Sequence, residues 1–377
     1  MGKVFIVRQN SYDQDGVDLA VKEIFSHFGG VERYVKKGDN VLLKANLVSA
    51  NAIEERVTTD PSVVRAVAVE VINAGGLPVI CDSPGIDKFS SVAKKTGLAA
   101  VAEELKIPCE ELTTPTELPV SESATFRKIE VSKKVIDADV IINIPKMKTH
   151  GQMVLTLGVK NIFGTVVAQR KAEWHYKVGL RRDTFASLLI DIYLGVKPAF
   201  TILDGIWGME GLGPSNGVPR NFSLLAGAEN AFTLDFHICR MLGLPLEDFP
   251  LWQAAKQKNL PETEISESDV EGDYTYPFKF ENVDIPKLCN MRVIPKIPLI
   301  EPLFTSKPVQ NLNKCIKCLR CIEVCHAQAM KLNKDGAKID IDYKKCIRCY
   351  CCHEFCPNNA IDFKDGLFMK VMKFFNK

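Results

Sequence analysis

The chain has 377 residues, a formal net charge of +2, 46% hydrophobic residues and 25% charged residues. This is ordinary globular composition, and the small net charge argues against a dedicated nucleic-acid partner or a strongly acidic one. The first residues, MGKVFIVRQN, enter a strand-like run without a signal peptide, and no uninterrupted apolar stretch of about 18 residues follows. We therefore expect a cytoplasmic protein with no integral membrane segment.

Strand and helix patterns alternate along the first three quarters of the chain. Apolar runs predict strands over residues 3–8, 40–48, 77–82, 138–145, 199–204 and 221–227. Helical patterns occupy residues 17–28, 61–74, 91–105, 154–164, 184–195 and 229–242, the second of them capped by Asp60-Pro61. Because the strands are continuously apolar and separated by helices, we expect an α/β fold with a doubly wound, mostly parallel sheet over residues 1–285.

The last quarter of the chain has a different organisation. Residues 286–310 are rich in Pro and apolar residues without a period, which predicts an extended connector lying against the body of the protein. A small cysteine-rich α+β domain is expected over residues 311–365. Residues 366–377 predict a terminal helix docked on its own chain, with a membrane-surface helix as the alternative.

Two tetracysteine runs give this small domain its chemistry. Their spacing, C-x2-C-x2-C-x3-C, is typical of bacterial ferredoxins, in which three thiolates of one run and the last thiolate of the other hold each 4Fe-4S cluster. A zinc ribbon or a disulfide scaffold fits less well, because zinc sites favour paired C-x2-C units. We therefore expect two 4Fe-4S clusters, one held by Cys315, Cys318, Cys321 and Cys356 and the other by Cys346, Cys349, Cys352 and Cys325.

Several residues near the thiolates depart from the simple pattern or add charge to it. His326 stands where ferredoxins usually have Pro, and we expect a surface histidine, with an imidazole near the second cluster as the alternative. Cys351 is expected to point away from the cluster as a spare thiol, with ligand exchange left open. Basic residues that border the runs predict docking of an acidic redox partner, with ordinary solvated charges as the alternative: Lys314, Lys317, Arg320, Lys344, Lys345 and Arg348.

Polar residues follow the predicted strands of the large domain, where open α/β sheets bind ligands. Candidate catalytic residues are His150, as a general acid or base, with Lys148 and Lys160. The alternatives are a solvated turn for Lys146 and Lys148, a surface position for His150, and burial with a partner for Lys160. No nucleotide is inferred, since neither a P-loop nor G-x-G-x-x-G is present. Candidate substrate-binding residues are Lys44, Asn46, Asp82, Ser83, Lys146, Asn161, His175, Asp204 and Glu210.

Six motifs carry a family resemblance: LLKANLV, DPSVVRAVA, CDSPG, NIPKMKTHGQMVLTLGVKNIFG, RKAEWH and LDGIWGMEGLGP. Together they resemble the iron-sulfur-centre proteins of the domain-of-unknown-function family number 362, and the KMKTH to KN block is the most specific part. The resemblance implies an α/β domain fused to a two-cluster ferredoxin, in largely anaerobic microbes, and implies no particular substrate. A fainter similarity over residues 150–161 to nickel-pincer lactate racemases bears on the fold only.

Electron transfer is the expected function. We favour an anaerobic oxidoreductase in which the clusters pass low-potential electrons from a ferredoxin-like partner to a substrate or cofactor at the rim of the α/β domain. Lys44, Lys146, Lys148 and Lys160 would bind anionic groups, and His150 would move protons. The alternative is an electron carrier or adaptor whose α/β domain docks a partner enzyme. A cluster-bearing sensor or assembly factor ranks third, and no DNA-binding motif supports the sensor.

Overall fold

The computed structural model describes residues 2–168, 170–178, 181–286, 306–364 and 366. Most of the predicted connector over residues 286–310 and almost all of the predicted tail over residues 366–377 lie outside the described residues. Both remain predictions.

The α/β domain is built on one large sheet. Its strands are β1 Val4–Arg8, β2 Asn40–Lys44, β3 Leu77–Asp82, β4 Cys109–Glu111, β5 Pro115–Glu117, β6 Glu130–Ser132, β7 Val140–Asn143, β8 Lys146–His150, β9 Val154–Thr156, β10 Phe200–Glu210, β11 Val218–Ala228 and β12 Val270–Gly272. The main strand order is β12-β1-β11-β10-β7-β2-β3-β4, with β8 and β9 joined to β10. Strands β10, β7, β2, β3 and β4 are parallel neighbours, and β11 runs against both β1 and β10. β5 and β6 pair separately.

Helices cover both faces of the sheet. They are α1 Gln14–His27, α2 Pro61–Asn73, α3 Phe89–Lys95, α4 Leu98–Leu105, α5 Lys133–Asp137, α6 Gly158–Asn161, α7 Arg170–Val178, α8 Arg182–Val196, α9 Ala231–Met241 and α10 Pro250–Gln257. Helices α1 to α4 pack with Val41 and Leu43 of β2 in one core, whereas α8 to α10 pack with Leu42 in the other. Adjacent β2 residues thus point to opposite cores, which confirms the doubly wound, mostly parallel α/β fold. No described helix has both the length and the apolar content needed to cross a membrane.

Local signals explain where the predicted helices were right and wrong. Helix α2 begins as predicted, with the Asp60 carboxylate accepting a hydrogen bond of 3.0 Å from the Ser62 backbone N–H. The helix predicted over 91–105 is instead two helices, because Gly97 between them adopts a φ of 78°. The helix predicted over 154–164 is wrong in its first turn, since residues 154–156 form β9 and pair with β8.

The C-terminal domain repeats a small unit around each cysteine run. Its strands are β13 Lys307–Gln310, β14 Met330–Leu332, β15 Ile339–Ile341 and β16 Ile361–Lys364, and its helices are α11 Arg320–Glu323 and α12 Cys351–Glu354. β13 pairs with β16 and β14 with β15, both antiparallel. β13 lies within the predicted connector, and its pairing makes it part of the small domain.

The small domain docks on the α/β domain at the carboxyl ends of the parallel strands. Ile86, after β3, and Ala172, on α7, pack against the apolar core of the small domain. Polar contacts join the same two surfaces: Arg320 to Asp87 at 2.7 Å, the Asn216 amide to the His353 carbonyl at 2.8 Å, and His150 to Glu354 at 3.3 Å. The crevice in which open α/β sheets bind ligands is therefore covered by the cysteine-rich domain.

We expect Gly85→Ala to loosen this docking. A methyl group at Gly85 would overlap the Phe355 ring, because that ring lies directly against the glycine. Overpacking of this kind costs about 1–3 kcal/mol. The thermal midpoint of the anaerobically purified protein should fall, and small-angle scattering should show a larger radius of gyration.

The double variant Gly85→Ala/Phe355→Ala provides the control. Removing the ring makes room for the methyl group, so the loss caused by Gly85→Ala should be smaller in the Phe355→Ala background. Equal losses in the two backgrounds would show that the contact between Gly85 and Phe355 does not hold the domains together.

Candidate functional site

The KMKTH segment forms strand β8 in the covered crevice. Side chains two apart share a face of a strand, so Lys146, Lys148 and His150 point the same way. Met147 points into the core on the other face. Lys146 and Lys148 are each 1% exposed and His150 is fully buried. The solvated turn and the surface histidine, both considered from the sequence, are therefore wrong.

Lys146 is held in a closed ion pair with Asp204. The Lys146 ammonium lies 2.8 Å from Asp204 Oδ2 and donates to the Tyr12 hydroxyl at 2.7 Å. Asp204 also accepts from the Tyr12 hydroxyl at 2.8 Å and from the Asp60 backbone N–H at 2.9 Å. Burial lowers the pKa of Lys146, and Asp204 opposes that shift. Since each group satisfies the other, Lys146 and Asp204 stabilise the strand ends and do not present free charges to a ligand.

Lys44 and Asp82 form a second closed pair. Their charged groups are 2.8 Å apart, and both side chains are at least 95% buried. The Asp82 carboxylate also accepts from the backbone N–H groups of Leu47 at 2.6 Å and Ser83 at 2.7 Å. Ser83 Oγ in turn accepts from the Ala168 N–H at 2.8 Å. These contacts join the loops that follow β2 and β3. The three candidate substrate-binding residues Lys44, Asp82 and Ser83 therefore make structural contacts with their own domain.

Lys148 differs from these two lysines because its partners are neutral. It donates to Asn46 Oδ1 at 2.8 Å and to the Val57 carbonyl at 2.7 Å. The Asn46 amide donates to Asn161 Oδ1 at 2.9 Å. This bond between two candidate residues orients the Asn46 oxygen that accepts from Lys148. Within the described residues Lys148 has no ion pair with a carboxylate. Burial, followed by repulsion from Lys160, lowers the pKa of Lys148 well below its usual value. An anion next to Lys148 would stabilise its charged form.

Glu354 of the small domain supplies a carboxylate at this point. We call Lys148, His150, Lys160 and Glu354 the polar cluster. The His150 Nε2 atom lies 3.3 Å from Glu354 Oε1, although the two atoms are not aligned for a hydrogen bond. Burial raises the pKa of Glu354, and Lys160 and Lys148 oppose the shift. Burial lowers the pKa of Lys160, and Glu354 opposes it. The four groups therefore interact electrostatically across the domain boundary.

The tautomer of His150 follows from its backbone contacts. Its Nδ1 atom accepts from the N–H groups of Gln152 at 3.0 Å and Met153 at 3.1 Å. Burial, then the charge of Lys160, lowers the pKa of His150 well below 6.5, so the ring is neutral at pH 7. A neutral ring whose Nδ1 is an acceptor carries its proton on Nε2. His150 therefore presents an N–H donor toward Glu354.

Of two further candidate residues, His175 lies near the polar cluster and Glu210 lies away from it. His175, on α7, is buried between the rings of Phe163 and Phe185, and burial lowers its pKa to about 3. Its charge interaction with His150 places it near the polar cluster. Glu210 pairs instead with Arg220 at 2.8 Å in the β10–β11 hairpin. The structure thus brings His175 to the cluster and gives Glu210 a structural contact.

The cysteines of the two runs line two cavities in the small domain. The described residues contain no group of three or more His, Cys, Asp or Glu placed for a single metal ion. Four thiols around a cavity instead fit a four-iron cube. The first cavity, here the proximal cavity, is lined by Cys325, Cys346, Cys349 and Cys352, and the second, the distal cavity, by Cys315, Cys318, Cys321 and Cys356.

The two cavities differ in their relation to the α/β domain. Ala172 and Tyr176 of α7 line the proximal cavity, whereas all the residues that line the distal cavity come from the small domain. Exposed His326 also borders the proximal cavity, in agreement with a surface histidine near the second run. Cys351 lines the same cavity, and its thiol is hydrogen-bonded with Cys349. The expectation that Cys351 points away is therefore wrong, because a turn of helix places it beside the ligand loop.

Sequence reasoning missed Glu354, Tyr12 and Gln152. Tyr12 bridges the Lys146–Asp204 pair, and no motif marks it. Gln152 lies in the turn between β8 and β9, and both of its side-chain polar atoms are buried without a hydrogen-bond partner among the described residues. Glu354 had one available signal, since each cysteine run has a glutamate at the middle of its C-x3-C segment. The spacing alone does not indicate which of the two, Glu323 or Glu354, is buried against the α/β domain.

The fold and the cysteine arrangement define an α/β domain fused to a ferredoxin domain, a class of iron-sulfur electron-transfer protein. The family described as Domain of unknown function (DUF362) matches residues 41–240, and a 4Fe-4S dicluster domain matches residues 307–357. The chain belongs to this DUF362 family. The resemblance seen in the sequence motifs is confirmed, as are binding of 4Fe-4S clusters and a role in electron transfer.

Two individual proteins are similar to the chain. Thylakoid-associated protein sll1697 of Synechocystis sp. is 37% identical over 260 residues, which is 69% of this chain and 80% of that protein. The lactate racemase apoprotein from Thermoanaerobacterium thermosaccharolyticum aligns with a TM-score of 0.40 and 12% identity, over 62% of this chain and 56% of that chain. This chain therefore spans little more than half of the racemase structure.

We expect Asp204→Asn to destabilise the α/β domain strongly. The change leaves Lys146 fully buried without its counter-ion, and breaking a buried pair in this way costs about 3–5 kcal/mol. The denaturant midpoint of the anaerobic protein measures the loss. Glu229→Gln, which removes a half-exposed pair with Arg33, is the control and should cost less than about 1 kcal/mol. Similar small losses in both variants would contradict a structural role for the buried pair.

Proposed function

We propose that this protein is an iron-sulfur oxidoreductase that exchanges electrons with a substrate or cofactor bound at the polar cluster. The observation that carries the proposal is the position of helix α12. This helix supplies Cys352 to the wall of the proximal cavity and Glu354 to the polar cluster. The cysteine at the proximal cavity and the carboxylate that reaches the α/β domain therefore lie on the same short helix, less than one turn apart.

The eight thiols that line the cavities are the proposed ligands, four to each of two 4Fe-4S clusters. When bound, such clusters supply one-electron transfer at potentials between roughly −700 and +450 mV. The crossed arrangement proposed from the sequence is supported by Cys356 beside the first run and Cys325 beside the second.

The residues of the polar cluster have chemically distinct roles in this proposal. Lys148 and Lys160 have no ion pair within the described part of their own domain, so they are the cations that would bind an anionic group of the substrate. His150 presents its Nε2–H, which would donate a hydrogen bond to that group. Lys44 and Lys146, already paired with Asp82 and Asp204, would position the strand ends.

The distal cavity supports a proposal about the redox partner. Its rim includes exposed Cys318, and Leu312 and Ile316 beside it are each 60% exposed. Lys314 and Lys317 are exposed on the same loop. An apolar patch with a basic rim favours an acidic, ferredoxin-like donor or acceptor. A cytoplasmic, anaerobic setting remains a prediction from the sequence, since the curated relative is described as thylakoid-associated.

An electron carrier or adaptor is the second candidate. It is favoured by the covering of the polar cluster by the small domain and by the closed pairing of Lys44 and Lys146. In that case the α/β domain would dock a partner enzyme and perform no chemistry. The two candidates differ in whether the α/β domain carries a small molecule.

Native mass spectrometry of anaerobically purified protein distinguishes the two candidates. The oxidoreductase should carry mass beyond the polypeptide and its clusters, because substrate or cofactor is held by the polar cluster. Lys148→Met should lose that extra mass, since it removes the cation without adding bulk. Lys94→Met, at an exposed position on α3, is the matched control and should retain it.

The same spectra contain the contradicting outcome. If wild type, Lys148→Met and Lys94→Met all show the mass of polypeptide plus clusters alone, the α/β domain holds no small molecule in the purified protein. That result would favour the electron carrier.

A further inference from the structure

The two cysteine runs place chemically equivalent glutamates in different surroundings. Glu323 stands between Cys321 and Cys325, and Glu354 stands between Cys352 and Cys356, at the same offset in each run. Glu323 is exposed, whereas the Glu354 side chain is only 12% exposed. The two glutamates are thus equivalent in position along their runs, but only Glu354 is covered.

Glu354 is surrounded by groups that bind oxyanions. His150 Nε2 is 3.3 Å from its carboxylate, and Lys160 and Lys148 both interact with it electrostatically. Asp82 also acts on Lys148 electrostatically, but its carboxylate is already paired with Lys44. His150 Nε2 is thus the donor atom beside this carboxylate, and the charges of two lysines act on the same group.

Several buried polar atoms near this point have no hydrogen-bond partner in the described residues. They are His150 Nε2, both side-chain polar atoms of Gln152, and His175 Nδ1. Folded proteins leave few such atoms, because each costs about 1–3 kcal/mol. Unpaired atoms concentrated on one hairpin and the adjacent helix α7 indicate a place where a ligand or ordered water completes the contacts.

We propose that the position occupied by the Glu354 carboxylate is a binding site for a small carboxylate ligand, and that Glu354 competes with this ligand. The ligand class follows from the group the site already accepts, a carboxylate 3.3 Å from the His150 Nε2 atom and under the electrostatic influence of two lysines. This inference rests on the proposed function, because it names the class of molecule that the polar cluster would hold. The ligand enters when the Glu354 side chain withdraws.

Removing the internal carboxylate should open the site to an external one. We would titrate sodium formate into full-length, cluster-loaded protein by isothermal calorimetry, at constant ionic strength maintained with sodium chloride. If Glu354 fills the site in nine of ten molecules, Glu354→Ala should bind formate about ten-fold more tightly than wild type. Adding Lys160→Met to Glu354→Ala should abolish binding. Glu323→Ala, the equivalent position of the other run, should behave as wild type.

Two outcomes would overturn the inference: equal formate affinity in wild type and Glu354→Ala, or formate binding that survives Lys160→Met. If Glu354→Ala loses its clusters, Glu354→Ser is titrated in the same way and judged by the same two outcomes. The proposed function fails separately. Formate binding by Glu354→Ala, together with wild-type protein that carries no small molecule in native mass spectra, would keep the carboxylate site and contradict the oxidoreductase.

Discussion

The interaction of Glu354 with His150, 3.3 Å away, and with the charges of Lys148 and Lys160 is the one on which the arrangement of the two domains depends. A carboxylate is buried at low cost only when cations or donors surround it. Lys148 and Lys160 meet the same requirement from the other side, because the described part of their own domain offers them no carboxylate in an ion pair. The lysines of the α/β domain therefore stabilise the Glu354 charge, and Glu354 stabilises theirs. This interaction holds α12 over the carboxyl ends of the parallel strands.

The lysines of this edge fall into two groups that composition does not separate. Lys44 and Lys146 each have a carboxylate at 2.8 Å, so their charges are cancelled within the α/β domain. Among the described residues, the acceptors of Lys148 are the Asn46 amide oxygen and the Val57 carbonyl. A ligand that binds through charge gains little from the first group, because it would have to displace an existing partner. Of the lysines predicted to bind an anionic group, those without a carboxylate in an ion pair within the described residues therefore remain the candidates: Lys148 and Lys160.

Sequence reasoning succeeded where the signal is local. Asp60-Pro61 marks the start of α2, and the spacing of the cysteines defines the ferredoxin domain, because capping and cluster ligation act within a few residues. It did not predict strand β8 or the partners of its two lysines, since Asp204 and Asn46 are distant from Lys146 and Lys148 in sequence. The role of Glu354 was equally hidden, because it has the same offset from the cysteines as exposed Glu323, and the docking that buries it is not visible in the sequence.

A redox titration followed by electron paramagnetic resonance tests the docked arrangement most directly. In the docked protein Lys160 interacts electrostatically with Cys351, which lines the proximal cavity. Lys160→Met should therefore lower the midpoint potential of the cluster proposed for that cavity by an amount on the order of tens of millivolts. Lys317→Met, whose side chain is exposed beside the distal cavity, should affect the other cluster. No shift in Lys160→Met, or an equal shift of both clusters, would contradict docking of the ferredoxin domain over the polar cluster.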